Sequence, residues 1–312
     1  MVNMGLARAR WATVAALFVL SCGQTKDELG AGDAGQSDSG PLNACPPFGV
    51  PLPAPRTPPP LTLALKHIDF GTAKHSGQWE SVGFDLDCCV GDACADACAA
   101  SLAGDDAEGR DNVFGGVLLP ILGQGSLQVG SALNEAMASG TWTLMVEVGS
   151  SESSNFSWAT SQTTPNFDGT DVWAVWEAPT SNAAARGGPG ALAFFADEIT
   201  LPLSPEYPSP RVTVHHAVVE LFWQDETGEY RGTLGGVVSP APLAHAAYEA
   251  IAAGDPNLCP TWFDDFATPY ADSRLEGSGK CGYVSIGAAV SFVPASIGSS
   301  KLPVVPSDPV CF

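Results

Sequence analysis

The chain has 312 residues, 45% of them hydrophobic, with 13 basic against 34 acidic side chains and a formal net charge of −21. That length supports one sizeable core or two joined ones. The charge excludes nucleic acid as a partner, because neutralising phosphates takes Lys/Arg patches that so few basic residues do not supply; a solvated acidic surface or cation binding remains.

Residues 1–21 read as an export signal, with Arg8 and Arg10 before an apolar run from Trp11 to Leu20, the charged-then-hydrophobic layout of a secretory leader. The run falls short of the roughly 20 apolar residues a spanning helix needs. At its end, Val19-Leu20-Ser21-Cys22 resembles the lipobox of bacterial lipoproteins, in which an apolar pair and a small residue precede the cysteine that receives diacylglycerol. The resemblance implies lipidation of Cys22 and a membrane as partner through that lipid. Gly23 after it, rather than Asp, resembles the outer-membrane sorting pattern, so the expected location is the cell envelope. Losing Arg8 and Arg10 with the leader takes the formal charge from −21 to −23. Residues 22–60, with "GAGDAGQSDSGP" giving way to "PPFGVPLPAPRTPPP", lack apolar periodicity and cannot bury enough surface to offset ordering entropy. They are expected to be a tether, flexible in the Gly/Ser part and stiffer in the Pro-rich part.

An odd count of nine cysteines in an exported protein implies a leftover thiol. With Cys22 assigned to lipid, the remaining Cys45, Cys88, Cys89, Cys94, Cys98, Cys259, Cys281 and Cys311 are even in number and are expected to pair outside the reducing interior. Their spacing does not choose the pairing. A Cys259–Cys281 bond would close a loop-rich stretch for on the order of 3 kcal/mol, and a Cys45–Cys311 bond would pin both tails. The cluster "CCVGDACADAC" from Cys88 to Cys98 lacks the separated CxxC-like pairs of structural zinc, so it reads as covalent bracing.

From residue 61 to 312 the chain is expected to form a β-rich globular body. "LTLALKHIDF", "WESVGFDLD", "TWTLMVEV", "DVWAVWEA", "ALAFFADEITL", "RVTVHHAVVELFW", "YRGTLGGVV" and "YVSIGAAVSFVPA" are β-branched and aromatic runs between Gly, Pro, Asn and Ser clusters. Such punctuation predicts a mainly β fold, a β-sandwich or jelly roll with two short helices, stapled by disulfides. "RVTVHHAVVELFW" is apolar at both parities, which predicts a central strand covered on both sides. "FGGVLLP" leading to "SALNEAMASG", and "LGGVVSP" leading to "HAAYEAIAAG", suggest a repeated strand–Pro–helix–Gly unit, with two related halves at about 61–150 and 171–300. "GRDNVFGGVLLPIL", "FDGTDVWAVW" and "CGYVSIGAAVSFVPA" resemble segments of uncharacterised exported proteins and lipoproteins of myxobacterial type, which implies location and overall shape but no activity.

Calcium needs six to eight oxygens gathered by a bent loop. Asp105, Asp106, Glu108, Asp111 and Asn112, near Gly104 and Gly109, are the candidate ligands, without EF-hand spacing; the plain alternative is an acidic loop, and calcium is the one cofactor considered. Asp168 and Asp171 before Trp173 and Trp176, and Trp262 beside Asp264 and Asp265, are candidate ligand-binding groups in which a sugar stacks on indole while carboxylates accept its hydroxyl protons; the plain alternative is core tryptophan. No GxSxG, HExxH, Walker or dinucleotide fingerprint is present, so no catalytic residue is assigned. A buried, hydrogen-bonded role is the default for His215 and His216, which point to opposite faces. The expected function is binding, of a glycan, calcium or an envelope partner protein. The alternatives are an Asp/Glu-dependent glycoside hydrolase of the envelope, whose carboxyl separation a sequence does not give, and a purely structural envelope component.

Overall fold

The computed structural model describes residues 61–301 apart from 72–73, 76–77, 80–81, 87–109, 125–127, 150–152, 162, 189, 204–209, 253–265 and 274–280. The expected leader, the lipidated Cys22, the tether, and Cys45, Cys88, Cys89, Cys94, Cys98, Cys259 and Cys311 lie outside the described residues. The strands are β1 (Leu61–Asp69), β2 (Lys74–His75), β3 (Gln78–Trp79), β4 (Thr143–Val148), β5 (Ser153–Ser161), β6 (Val172–Gly188), β7 (Ala191–Pro202), β8 (Arg211–Gln224), β9 (Glu229–Val238), β10 (Val284–Pro294) and β11 (Ser296–Lys301). The helices are α1 (Leu119–Gln124), α2 (Val129–Ser139) and α3 (Pro240–Ala252).

β1 pairs with β4, every strand from β4 to β10 pairs with the next along the chain, and β10 returns to β1, all antiparallel. The result is a closed eight-stranded up-and-down barrel, with β11 added parallel to the first part of β6 and β2–β3 a separate ribbon. The mainly β prediction holds; the sandwich or jelly roll gives way to one sheet that curls until its edges meet. Bulges permit the curl: the register shifts at Lys66 in β1, at Trp158 opposite β6, and between His215 and Val218 in β8. The 17-residue β6 closes the ring, pairing with β5 along its length and with β7 only from Ala183 to Gly188. Because β1 lies between β4 and β10, segments 61–150 and 171–300 share one sheet and are not side-by-side halves.

Side chains of one parity fill the barrel. Leu63, Leu65, Phe156, Trp158, Phe194 and Phe292 are buried in a single cluster, with edge-on ring pairs such as Phe156–Phe194 at 5.7 Å and Trp142–Trp158 at 6.3 Å. To the same cluster α2 adds Leu133 and Met137, and α3 adds Leu243 and Ala247. The opposite parity builds a small outer cluster of Ala64, Met145, Ala159, Trp173 and Val293, with Phe167 packed on it.

The two-faced apolar pattern of β8 has a local cause. His216 adopts φ 48° at the bulge, and the extra residue moves the inward parity from Val212 and Val214 to Ala217, Val219 and Leu221. Two phases overlie one another in the sequence, and the expected cover on both faces holds over residues 217–221, where Val218 and Glu220 are buried along with Ala217, Val219 and Leu221, while Arg211, His216, Phe222 and Gln224 are exposed. The supposed repeat also dissolves, since "LGGVV" lies in β9 while Phe114–Leu118 is a π-helical turn leading into α1. Gly115 there packs so close to Phe70 that a Cβ would come within 1.9 Å of its carbonyl oxygen. Among the described residues of "WESVGFDLD" the first alone lies in a strand; residues 82–86 cross as irregular chain, held by Asp111 N–H to Phe84 O at 3.0 Å.

Candidate functional site: a recess on the outer wall

Of the predicted calcium ligands, Asp105, Asp106 and Glu108 lie outside the described residues, and the other two are structural. Asn112 donates through Nδ2 to the carbonyls of Phe70 (2.9 Å), Val82 (2.8 Å) and Gly287 (3.1 Å), and its Oδ1 accepts from the Gly115 (2.9 Å) and Gly287 (3.0 Å) amides. Asp111 is buried and accepts the Leu86 amide at 2.5 Å. A carboxamide with every lone pair and proton engaged has none left for a cation. Among the described residues no group of three or more His, Cys, Asp or Glu is placed to hold a metal ion.

Asp168 and Asp171 serve their own turn. Asp168 Oδ1 accepts the Thr170 hydroxyl (2.6 Å) and amide (3.0 Å), and these hydrogen bonds, the hydroxyl's first, hold its carboxyl below the ordinary value. Asp171 accepts the amides of Asn166 (2.9 Å) and Phe167 (2.6 Å). Trp173 is fully buried beneath Phe167, and Trp176 packs edge-on to Trp158 at 6.2 Å in the barrel core. The expected sugar platform is therefore absent at this place, since both indole faces are covered by core neighbours. Trp262, Asp264 and Asp265 lie outside the described residues.

The two histidines default to burial in the sequence reading, and neither is buried. His215 is half-exposed with Nδ1 3.2 Å from Glu198 Oε1, and His216 is exposed at the bulge. Ser285 and Asp272 are mutually hydrogen-bonded but wholly buried, with Ser285 Oγ also accepting the Val113 amide at 2.9 Å. Cys281 is disulfide-bonded to a partner outside the described residues.

Open space with convergent polar groups occurs instead on the outer wall. A cleft of about 570 Å³ lies between the end of β1, α1 and the start of α2, with Phe70, Leu119 and Val129 as apolar lining and Gln128, Ser131 and Asn134 as polar lining. Asn134 pins α2 there, its carboxamide pairing with the amide (3.0 Å) and carbonyl (2.9 Å) of Ile68 where β1 has left β4. A second cleft of about 500 Å³ lies over β1, β10 and β9. The two share His67 and Asp69, so they form one recess.

The second cleft follows from strand parity and one bulge. Lys66 is the residue at which the β1 register against β10 shifts, so Lys66 and His67 open together towards the outside. Glu229 and Arg231, two apart on β9, share a face. Buried Glu229 receives Lys66 Nζ at 2.8 Å and Arg231 Nε at 2.5 Å. Burial alone would push its carboxyl up, but the hydrogen bonds and charges of Lys66 and Arg231 outweigh that and hold it below the ordinary value. Asp69 Oδ1 accepts the Gly71 amide at 2.9 Å. None of these residues is among the candidates drawn from the sequence. The available signals were the Lys66–His67 pair breaking an apolar alternation, a bulge signature, and the Glu229/Arg231 charge pair at strand spacing.

No protein-family model, curated protein or solved structure matches this chain.

Proposed function

We propose that this chain is a lipid-anchored protein of the cell envelope that works by binding, and that its ligand is a hydroxyl-rich envelope glycan seated in the recess around His67 and Asp69. The observation that carries the reading is the contrast between a barrel interior filled by side chains and an outer recess where unfilled space meets convergent polar groups. Barrels of eight strands either pack their interior or hold a small cargo there; with the inside occupied, a ligand is left the wall. An apolar floor with a few placed donors and acceptors suits a sugar, whose ring has an apolar face and hydroxyl edges. Envelope location is supported by the leader layout, by Cys22 in its lipobox-like setting, by the even number of other cysteines, and by the disulfide at Cys281, since such bonds persist in oxidising compartments.

The test is an array of immobilised glycans probed with the full chain, with and without calcium, beside a His67→Ala/Asp69→Asn variant. Binding that is unchanged by calcium and weakened about tenfold in the variant is expected, the loss of two neutral or singly charged hydrogen bonds. Silence across the array in both conditions would overturn the reading. Palmitate incorporation that disappears in Cys22→Ala tests the anchor separately.

A further inference from the structure

The geometry points to an oxyanion on the ligand: we infer that the saccharide bound in this recess carries a carboxylate, or a phosphate or sulfate ester, and that Arg231 and Lys66 recognise it. The inference rests on the outer-wall recess being the binding site.

Three features converge. The chain has only 13 basic residues against 34 acidic ones, yet two of the 13 meet in the second cleft around a single buried carboxylate. Replacing a buried ion cluster by apolar side chains is often neutral or stabilising, so stability by itself is a weak reason for one to be here. What Glu229 does is aim both cations. Arg231 grips it through Nε, leaving the terminal guanidinium N–H groups with no partner among the described residues and the side chain 59% exposed. Lys66 gives Glu229 one contact and is 40% exposed. Lys66 and Arg231 against Glu229 and Asp69 make this cleft formally neutral within a protein of net charge −21, with Glu229 held between the two cations and Asp69 accepting the Gly71 amide while both cationic side chains stay partly exposed.

The third feature is alignment. His67 stands opposite Ser291, Ser291 opposite Arg231, and Arg231 opposite Phe222, at steps of about 4.8 Å from strand to strand. Imidazole, hydroxyl and guanidinium thus form a line of donors that ends on a phenyl ring 49% exposed. A planar guanidinium matches a carboxylate or phosphate through paired hydrogen bonds, which a point charge does not reproduce. The exposed ring beside it offers an apolar surface to the face of a sugar.

Fluorescence anisotropy of the full chain with a uronic-acid oligosaccharide, its carboxyl-reduced neutral counterpart, a phosphorylated oligosaccharide of equal length and an acidic peptide tests the inference. Tighter binding of either acidic sugar over the neutral one, by about tenfold and weakened by salt, is expected; which acidic sugar wins identifies the source of the oxyanion. Arg231→Lys should lose part of this discrimination and Arg231→Gln nearly all of it. Because Arg231→Gln strips a partner from Glu229, the double variant Glu229→Gln/Arg231→Gln, neutral at both positions, repeats the measurement with its melting temperature checked. Equal affinity for acidic and neutral sugars overturns the inference and leaves the recess as the glycan site. Binding of no sugar overturns both, and binding confined to the acidic peptide replaces the saccharide by a protein partner.

Discussion

Asn112 and the two buried glutamates show what single polar residues do in this barrel. Asn112 ties three separated segments through five hydrogen bonds. Asn112→Ala abandons buried groups at about 1–3 kcal/mol each, so urea unfolding should lose at least about 3 kcal/mol at an unchanged m value. Asn112→Asp, equal in size but without the donors, should fare no better. Glu220 and Glu229 respond to pH with opposite sign. Glu220 on β8 is buried with Oε1 lacking a hydrogen-bond partner, and desolvation raises its carboxyl above the ordinary 4.5. Its ionisation therefore opposes folding: stability falls as pH rises from that ordinary value through the raised one, then stays lower. Glu229 is held below 4.5, so its contribution is complete above the unfolded value and is lost as pH falls through the depressed one. Calorimetry from about pH 3 to 8 should find Glu220→Gln melting higher than the parent at neutral pH, with the difference vanishing near pH 4 or below. Glu229→Gln should melt lower at neutral pH and converge with the parent in acid.

Elements were legible where side-chain parity and burial agree. β1, β4, β7, β9 and β10 lie within a residue or two of their apolar runs. β5, "SSNFSWATS", went unseen because Ser and Asn have low strand propensity, although Phe156 and Trp158 on its inward parity fill the core. The second part of β6 and all of β11 were missed for the same reason: small and polar residues there are ordered by their neighbours in the sheet. The glycine expected to end α2 does so. Gly140 takes φ 80° and its N–H reaches the carbonyls of Ala136 and Met137. A Cβ there would meet Ser161 Cβ and the Thr163 carbonyl oxygen at 2.9 Å, in a backbone region costing non-glycine residues about 1–2 kcal/mol. Gly140→Ala should thus lose about 2 kcal/mol or more, read from thermal unfolding, with the β1–α2 junction exchanging amide hydrogens faster.

At the scale of the molecule the barrel is apolar within and mixed without, where polar residues stand beside the outer cluster of Ala64, Met145, Ala159, Trp173 and Val293 and the exposed Phe222. Its outer face carries His67, Ser291, Arg231, Asn155 and Glu147, while Leu, Phe and Trp fill the inside. A lumen filled with apolar side chains is unlike the polar lumen of a membrane-spanning barrel. It also differs from cargo-holding barrels. An environment-sensitive apolar fluorophore should show no saturable binding to the native protein, and saturable uptake displaced by fatty acids would contradict a filled interior.

Composition alone was enough to argue against nucleic acid as a partner, and residue patterns along the chain disclosed most strands, two of the helices and the Gly140 cap, because these depend on propensity and on apolar spacing between neighbours in sequence. The proposed leader and anchor rest on the same kind of signal, between adjacent residues. Tertiary structure alone decided that the sheet closes, because closure depends on bulges at Lys66 and His216 and on β10 meeting β1 across more than two hundred residues. It alone withdrew Asn112, Asp171 and Trp173 from ligand binding, since a side chain's availability depends on which distant backbone groups reach it first. The recess is likewise a product of folding: His67 and Arg231 become neighbours only through Ser291, on a strand between theirs, and no local pattern encodes a register between segments so far apart.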